Sequence, residues 1–348
     1  MTDVEYAGSL EGVPTAEWDA LAEAAGHVFA TPEWLRTWWR RHSAGRRPLV
    51  GLARSGGRLR AIVPMYAWWR HGVAVLRFAG HGPSDRLGPI SAPLSDPAAA
   101  DVVRATLAAL PLRRFVLVAE HVAADEGFGR LTGARPLYRE PSPVLRFEHD
   151  TWDAFLAARP ANFRQQVRRY PRRLAEHGAA VAFRLATDRD RLDRDLDTLF
   201  ALHRARWDGQ ETPFLAAAAF HREFARLAFD RGWLRLSFLE VDGRPVAALY
   251  GFRFAGAESG YQAGRDPRFA GGQVGFVLLA HAVQAALEDG MREFRFGRGG
   301  SAYKERFATS DPGIETYGLT RGAAASGMLS TALALRGRSL GVRRLLDR

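Results

Sequence analysis

The chain contains no cysteine among its 348 residues. Disulfide frameworks, thiolate metal sites and a cysteine nucleophile are excluded at once. Lysine is almost as scarce: Lys304 stands alone among 49 basic residues, the other 48 being arginine. No apolar run reaches the length of a membrane span, and residues 328–335 are too short for one. Residues 1–10 carry acidic groups and neither a basic nor an apolar leader region, so no signal peptide is read there. These absences predict a cytoplasmic protein without a membrane span. Walker A, H-E-x-x-H and G-x-S-x-G elements are also missing, which leaves their chemistries unsupported.

What is present describes a globular chain. Hydrophobic residues make up 47% and charged ones 25%, enough apolar material to fill the cores of two ordinary domains. A net charge of +11 favours anionic partners: nucleic acid, a membrane surface or a phosphorylated cofactor. Charge alone does not choose among them. Arginines cluster at Arg164, Arg168, Arg169, Arg172 and Arg173, and again from Arg336 to the end. Each cluster reads equally as a solvated face. Lys304 is more pointed, because a chain that uses arginine for generic charge keeps lysine where a compact, rotatable ammonium is needed. The competing reading is survival by accident.

Apolar spacing and turn residues set out the second half. Residues 181–185 read as a strand, and a helix follows with Leu192, Leu196, Leu199, Phe200 and Trp207 on one face. His203 shares that face, which predicts a buried, satisfied histidine rather than a catalytic one. A helix over 215–230 precedes strands at 233–241 and 245–254, joined by the hairpin signal Asp242-Gly243. A strand at 258–264, a glycine-led apolar helix at 276–289, and strands at 292–296 and 314–319 complete the pattern. The first half repeats this order more faintly, which predicts a duplicated domain. The expected fold class is α/β with mixed (α+β) sheets. The expected divisions are 1–140, a connecting strand and basic helix over 141–178, a catalytic domain over 179–322, and a basic tail over 323–348. Pro171 is expected to kink or break the helix of the connecting segment.

Two glycine-rich segments carry the chemistry. Gly297-Arg298-Gly299-Gly300-Ser301-Ala302 formally matches a dinucleotide fingerprint, but too little helix can follow it for that role. Arg265-Asp266-Pro267-Arg268-Phe269-Ala270-Gly271-Gly272-Gln273-Val274-Gly275 lies between a strand and the start of a buried helix. There, exposed N–H groups and the helix dipole would suit phosphates. The alternative is a plain connection that uses glycine for tight packing.

Taken with Asp266-Pro267, the strand running into Gly297-Arg298-Gly299, and Tyr303-Lys304, these segments resemble the GNAT superfamily of N-acyltransferases. The nearest branch is the tandem-domain cellulose-biosynthesis (CelD-like) group, related to the FemAB aminoacyl transferases. Thr31-Pro32-Glu33-Trp34 and Leu202-His203-x-x-Arg206-Trp207 also fit it. The resemblance implies two tandem GNAT-like domains, the first a degenerate copy without a donor loop, and an active site in the second facing the first. It implies transfer of an acyl group from acetyl-CoA or another acyl-CoA, with no metal, to an amine of a small-molecule or saccharide acceptor. Gln262, Ala263 and Gly264 would supply an oxyanion N–H. Arg268, Gly271, Gly272, Gln273, Val274 and Gly275 would hold the cofactor. Asp266 would act as base or amine-orienting group, Tyr303 as acid, and Lys304 as a charge-stabilising or acceptor-binding group. Arg298, Arg206, Trp207 and Asp85 would meet the acceptor. The family loop R/Q-x-x-G-x-G/A ends here in Gln273, a departure that keeps two alternatives open. One is a FemAB-type transferase using aminoacyl-tRNA; the other is a non-catalytic protein with a degenerate cofactor site.

Overall fold

Segments rich in β-branched and aromatic residues form strands, and those with apolar residues at helical spacing form helices. A computed structural model describes residues 2–336. The chain separates into two units, one comprising Met1–Ala25, Phe29–Glu140 and the chain from Gly313, the other Gly26–Val28 and Pro141–Pro312. In chain order the first contains β1 (Thr2–Ala7), α1 (Thr15–Ala25), α2 (Pro32–His42), β2 (Arg47–Ser55), β3 (Arg58–Arg70) and β4 (Val73–Phe78). It continues with β5 (Ile90–Ser91), α3 (Pro97–Ala108), β6 (Phe115–Ala123), α4 (Phe128–Thr132) and β7 (Arg135–Glu140).

The second unit begins with β8 (Val144–Arg146), α5 (Trp152–Ala157), α6 (Ala161–Leu174), β9 (Val181–Leu185), α7 (Leu192–Arg206), α8 (Pro213–Ala216) and α9 (Ala218–Asp230). Then come β10 (Leu234–Val241), β11 (Arg244–Phe254), β12 (Ala257–Arg265), α10 (Val274–Glu288), β13 (Glu293–Arg295) and α11 (Ala302–Glu305). Finally β14 (Ile314–Arg321) and α12 (Ala323–Arg336) return to the first unit.

The first sheet runs β1-β2-β3-β4-β6-β14-β7, with β5 beside β3; the second runs β8-β13-β12-β11-β10-β9. Among the described residues each has a single parallel neighbour pair, β4 with β6 and β12 with β13. Each pair is bridged by one crossover helix, α3 or α10, so both units carry the same meander followed by a β–α–β step. The fold is a mixed α/β tandem. α10 is apolar nearly all round and buries Val274, Val277, Leu278 and Val283 against the sheet.

Two features depart from the sequence reading. The strand at 314–319, expected in the second domain, pairs in the structure with β6 and β7 of the first sheet. Helix α6 also runs through Pro171 without a break. Proline in a helix costs about 3 kcal/mol, yet one face of α6 is anchored on both sides of it. Phe163 and Tyr170 meet Phe276 with ring centroids 5.9 and 5.5 Å apart, and Leu174 is buried against α10. Each such buried side chain returns about 1.5–3 kcal/mol, so packing prevails. Of the basic tail, Arg338, Arg343, Arg344 and Arg348 lie outside the described residues.

Candidate active site

Parallel pairing between β12 and β13 lasts only from Ala257 to Ser259. β12 then continues to Arg265 with β11 alone on its paired side, so its other edge opens beside α10. The register between β11 and β12 skips Tyr261, a β-bulge. Gly251 allows it: a Cβ there would lie 2.1 Å from the Ser259 carbonyl oxygen. The bulge sends the Tyr261 ring among Phe214, His221, Tyr250 and Phe252. On the far side α7 crosses β12 so closely that a Cβ on Gly264 would stand 2.4 Å from the His203 nitrogen. His203 is buried; its ring nitrogens lie 3.1 Å from the Ala263 carbonyl oxygen and 3.0 Å from Thr212 Oγ1. Burial lowers its pKa, and the histidine ties α7 to β12.

The opening holds a cavity of about 400 Å³ between β11, β12 and the start of α10. Ala263, Gly264, Gln273, Val274, Gly275 and Tyr303, all singled out in the sequence, line it together with Arg265 and with Leu249, which no local motif marks. Gln273 takes a left-handed conformation (φ 54°) and α10 begins after it with no side-chain cap. The first helical bonds run from Phe276 and Val277 to the Gln273 carbonyl. The Val274 and Gly275 N–H groups precede them and point along the helix axis. A Cβ on Gly271 would meet nothing within 4 Å, and one on Gly275 only Arg265 at 3.9 Å. The protein itself therefore does not demand glycine at these two positions. Open backbone, a helix N-terminus and a nearby guanidinium together suit a pyrophosphate.

A second cavity of about 220 Å³ adjoins it, sharing Arg206, Leu249, Ala263, Leu279 and Tyr303. Trp207, Tyr261, Gln262, Phe294, Phe296, Arg298 and Lys304 are among the other residues that line it. The lone lysine has a definite place. Gly297 and Gly299, at φ 69° and 82°, turn the loop back on itself. Lys304 Nζ then donates to the carbonyls of Arg298 (2.8 Å) and Gly299 (3.2 Å). One tetrahedral ammonium serves two successive carbonyls, which a planar guanidinium on a longer stem does less well. Arg206 Nη1 donates to the Ala263 carbonyl at 3.2 Å, which sets its side chain between the two cavities.

Other expected residues lie differently. Asp266 lines neither cavity. It caps the turn at Pro267–Gly272, accepting from the Arg268 backbone N–H at 2.9 Å, and its carboxylate pairs with the Arg268 guanidinium. The hydrogen bond from Arg268 holds its pKa below the usual carboxylate range. A base so paired is a weak one, so the base role expected for Asp266 gives way to a structural one. Arg268 is spent on that pair and is itself exposed. Gly272 is close to Leu174, where a Cβ would lie 2.5 Å from a methyl group. Asp85 belongs to the other unit, in the loop after β4.

That loop is firmly tied. Trp34 Nε1 donates to Ser84 Oγ (2.8 Å), Trp38 Nε1 to the His81 carbonyl (2.9 Å), and the Leu87 N–H to the His121 carbonyl (2.9 Å). Arg77 of β4 and Glu120 of β6 meet around His81, whose Nε2 is 2.9 Å from the Glu120 carboxylate. Burial pushes the Glu120 carboxyl up, but His81 and Arg77 outweigh it and hold its pKa at about 2.

Among the described residues no helix is long and apolar enough to cross a membrane, and no group of three or more histidine or acidic side chains could hold a metal ion. Residues 161–305 match the family model for the acetyltransferase (GNAT) domain. Comparison with curated proteins gives no match. Among solved structures, FemX superposes with a TM-score of 0.59 at 10% identity, covering 92% of this chain and 98% of that one. L-PGS from Bacillus licheniformis gives 0.54 at 14%, covering 94% and 98%. At such identities the likeness concerns the fold alone.

Proposed function

We propose that the chain is an N-acyltransferase that takes an acyl group from acyl-CoA, in the groove beside β12, and passes it to an amine held in the adjoining cavity. The observation that carries this reading is the uncapped start of α10 opening into a cavity lined by Gly275, where a Cβ would meet nothing nearer than Arg265 at 3.9 Å. The finer placement we favour is the CelD-like branch. Val274, Gly275 and Arg265 would hold the pyrophosphate, and Leu249, Leu278 and Leu279 the pantetheine arm. Acyl-CoA, when bound, supplies an activated thioester. The freed edge of β12 from Gln262 to Gly264 would offer an N–H to the acyl oxygen. Tyr303 borders both cavities and would donate a proton to the leaving sulfur. Lys304 would keep the Arg298 loop in shape, and Arg298, Arg206 and Trp207 would receive the acceptor.

A second reading rests on α6. Arg168, Arg169, Arg172 and Arg173 are exposed, the helix contains no acidic residue, and its Leu174 end abuts the donor loop at Gly272. That face would suit the phosphates of an aminoacyl-tRNA. One experiment separates the readings. Acetyl-CoA should raise the thermal midpoint through ligand linkage, and charged tRNA should be retained no better than uncharged RNA of equal length. No rise with acetyl-CoA or longer acyl-CoAs, together with salt-sensitive tRNA retention lost on neutralising Arg168, Arg169 and Arg172, would favour the tRNA reading. Absence of both would point to a binding protein.

A further inference from the structure

Among the described residues, the acceptor cavity is lined by Arg206, Arg298 and Lys304 and by no aspartate or glutamate, and the donor groove beside it adds Arg265, again without a carboxylate. We infer that the acceptor is an amine that brings its own negative group, a carboxylate or phosphate, to this cavity. The inference rests on the acyl-transfer reading above and narrows it to a substrate class.

Electrostatics support it first. Two unit charges 5 Å apart near a protein surface interact by about 3 kcal/mol. An ammonium finds no carboxylate among the described lining residues to pair with, whereas an anion finds three cationic side chains. Lys304 cannot swing clear, because Nζ is held by two carbonyls of its own loop. Arg206 is likewise fixed by the Ala263 carbonyl and by its place over the Trp207 ring, 5.6 Å from the centroid. An anionic group on the acceptor would take charge-assisted hydrogen bonds there, which arginine forms in bidentate fashion with either anion.

The same charges bear on the proton. A positive environment favours the neutral form of an amine and lowers its pKa. That reduces the need for a carboxylate base, and neither cavity contains one. Proton removal can then pass to water once the acceptor is seated.

Size and surface restrict the class further. The cavity of about 220 Å³ is below the usual range for drug-sized ligands, so an amino acid or an aminosugar phosphate fits better than a large polymer. Trp207 is half-exposed at the rim and offers a flat apolar face for the body of such a molecule.

The test uses the full-length protein saturated with CoA and pairs of amines that differ only in the anionic group. Suitable probes are β-alanine, glutamate and lysine against their carboxamides, and glucosamine 6-phosphate against glucosamine. Calorimetric titration should show at least one charged member binding about tenfold or more tightly than its neutral twin, as expected for hydrogen bonds to a charged group. Which pair responds tells carboxylate from phosphate. Arg298→Gln should remove most of that preference while the CoA-induced thermal shift persists, and Arg206→Gln serves the same purpose should the first variant fold poorly. Equal affinity within every pair, preference for the neutral members, or no binding by any charged member would overturn the inference. Loss of the acetyl-CoA thermal shift in the unaltered protein would instead overturn the donor reading.

Discussion

Both units contain the same β–α–β step, and they finish it in opposite ways. In the first, β4 and β6 pair through Ala74–Phe115, Val75–Val116 and Leu76–Leu117, then are bridged by the Arg77–His81–Glu120 cluster and the loop held by Trp34, Trp38 and His121. Its crossover helix α3 starts in the orthodox manner, with Pro97 in the first turn and Asp96 accepting from the Ala98 N–H at 2.9 Å. In the second, β12 and β13 pair over three residues and then part around a cavity, and α10 starts from a strained glutamine with no side-chain cap. One architecture therefore yields either a closed, self-satisfied junction or an open one whose helix N-terminus is available to a ligand. The lesson is that room for a ligand depends less on the fold than on whether side chains of the same chain occupy the gap.

Closing the second gap tests this most severely. Gly275→Trp projects an indole into the donor groove from a position with free space, so the unliganded thermal midpoint should hold while the acetyl-CoA shift disappears. Activity should fall about 100-fold or more, equivalent to about 3 kcal/mol. An unaltered shift would separate donor binding from this groove.

Loosening the first gap should cost stability instead. The Glu120 carboxyl, depressed from its ordinary 4.5 to about 2, contributes stability that is complete above pH 4.5 and is lost as pH falls towards 2. Glu120→Gln is thus expected to destabilise the protein by about 2–3 kcal/mol at pH 7, and the difference from the parent should shrink by pH 3. Denaturant titrations at the two pH values would check both sign and window. A pH-independent difference would show that Glu120 acts through packing alone.

Lys304→Arg comes next. The anchored loop should shift, raising KM for the acceptor or lowering kcat by about tenfold, with stability changed by about 1 kcal/mol or less. Steady-state kinetics at saturating acetyl-CoA would separate the two effects. Parent-like constants would return the lone lysine to an accident of composition. The smallest effects concern the two helix starts and should differ in sign. Asp96→Ala removes a cap and should destabilise by about 1 kcal/mol, whereas Gln273→Gly relieves a left-handed residue and should stabilise by up to about 1 kcal/mol. Matched thermal melts measure both.

Much of the second unit was legible in its residues. Asp242-Gly243 adopts the predicted hairpin turn with both φ values positive, at 51° and 72°. The apolar run after Gly275 is the buried crossover helix, and Tyr303, Lys304 and Arg298 do come together around one cavity. The misreadings have physical causes. Asp266 has the carboxylate expected of a base or amine-orienting group, yet that carboxylate is drawn to a partner two residues away. Pro171 is a local breaker overridden by contacts with α10, and Arg265 reaches the groove only because β12 outlasts its neighbour β13.

Sequence alone determined what depends on near neighbours: strand and helix identity, turn chemistry, the exclusion of thiol sites, and the glycine-led start of α10. These follow from backbone sterics and side-chain periodicity over a few residues. Tertiary structure decided the rest. Pairing of β14 with β6 and β7 joins residues that are distant along the chain, and hydrogen bonding across a sheet leaves no local trace when several strands have similar apolar patterns. The parting of β12 from β13, the seating of the Tyr261 ring among its aromatic neighbours and that of Lys304 on two carbonyls are likewise settled by packing, because each depends on which groups already occupy the surrounding space.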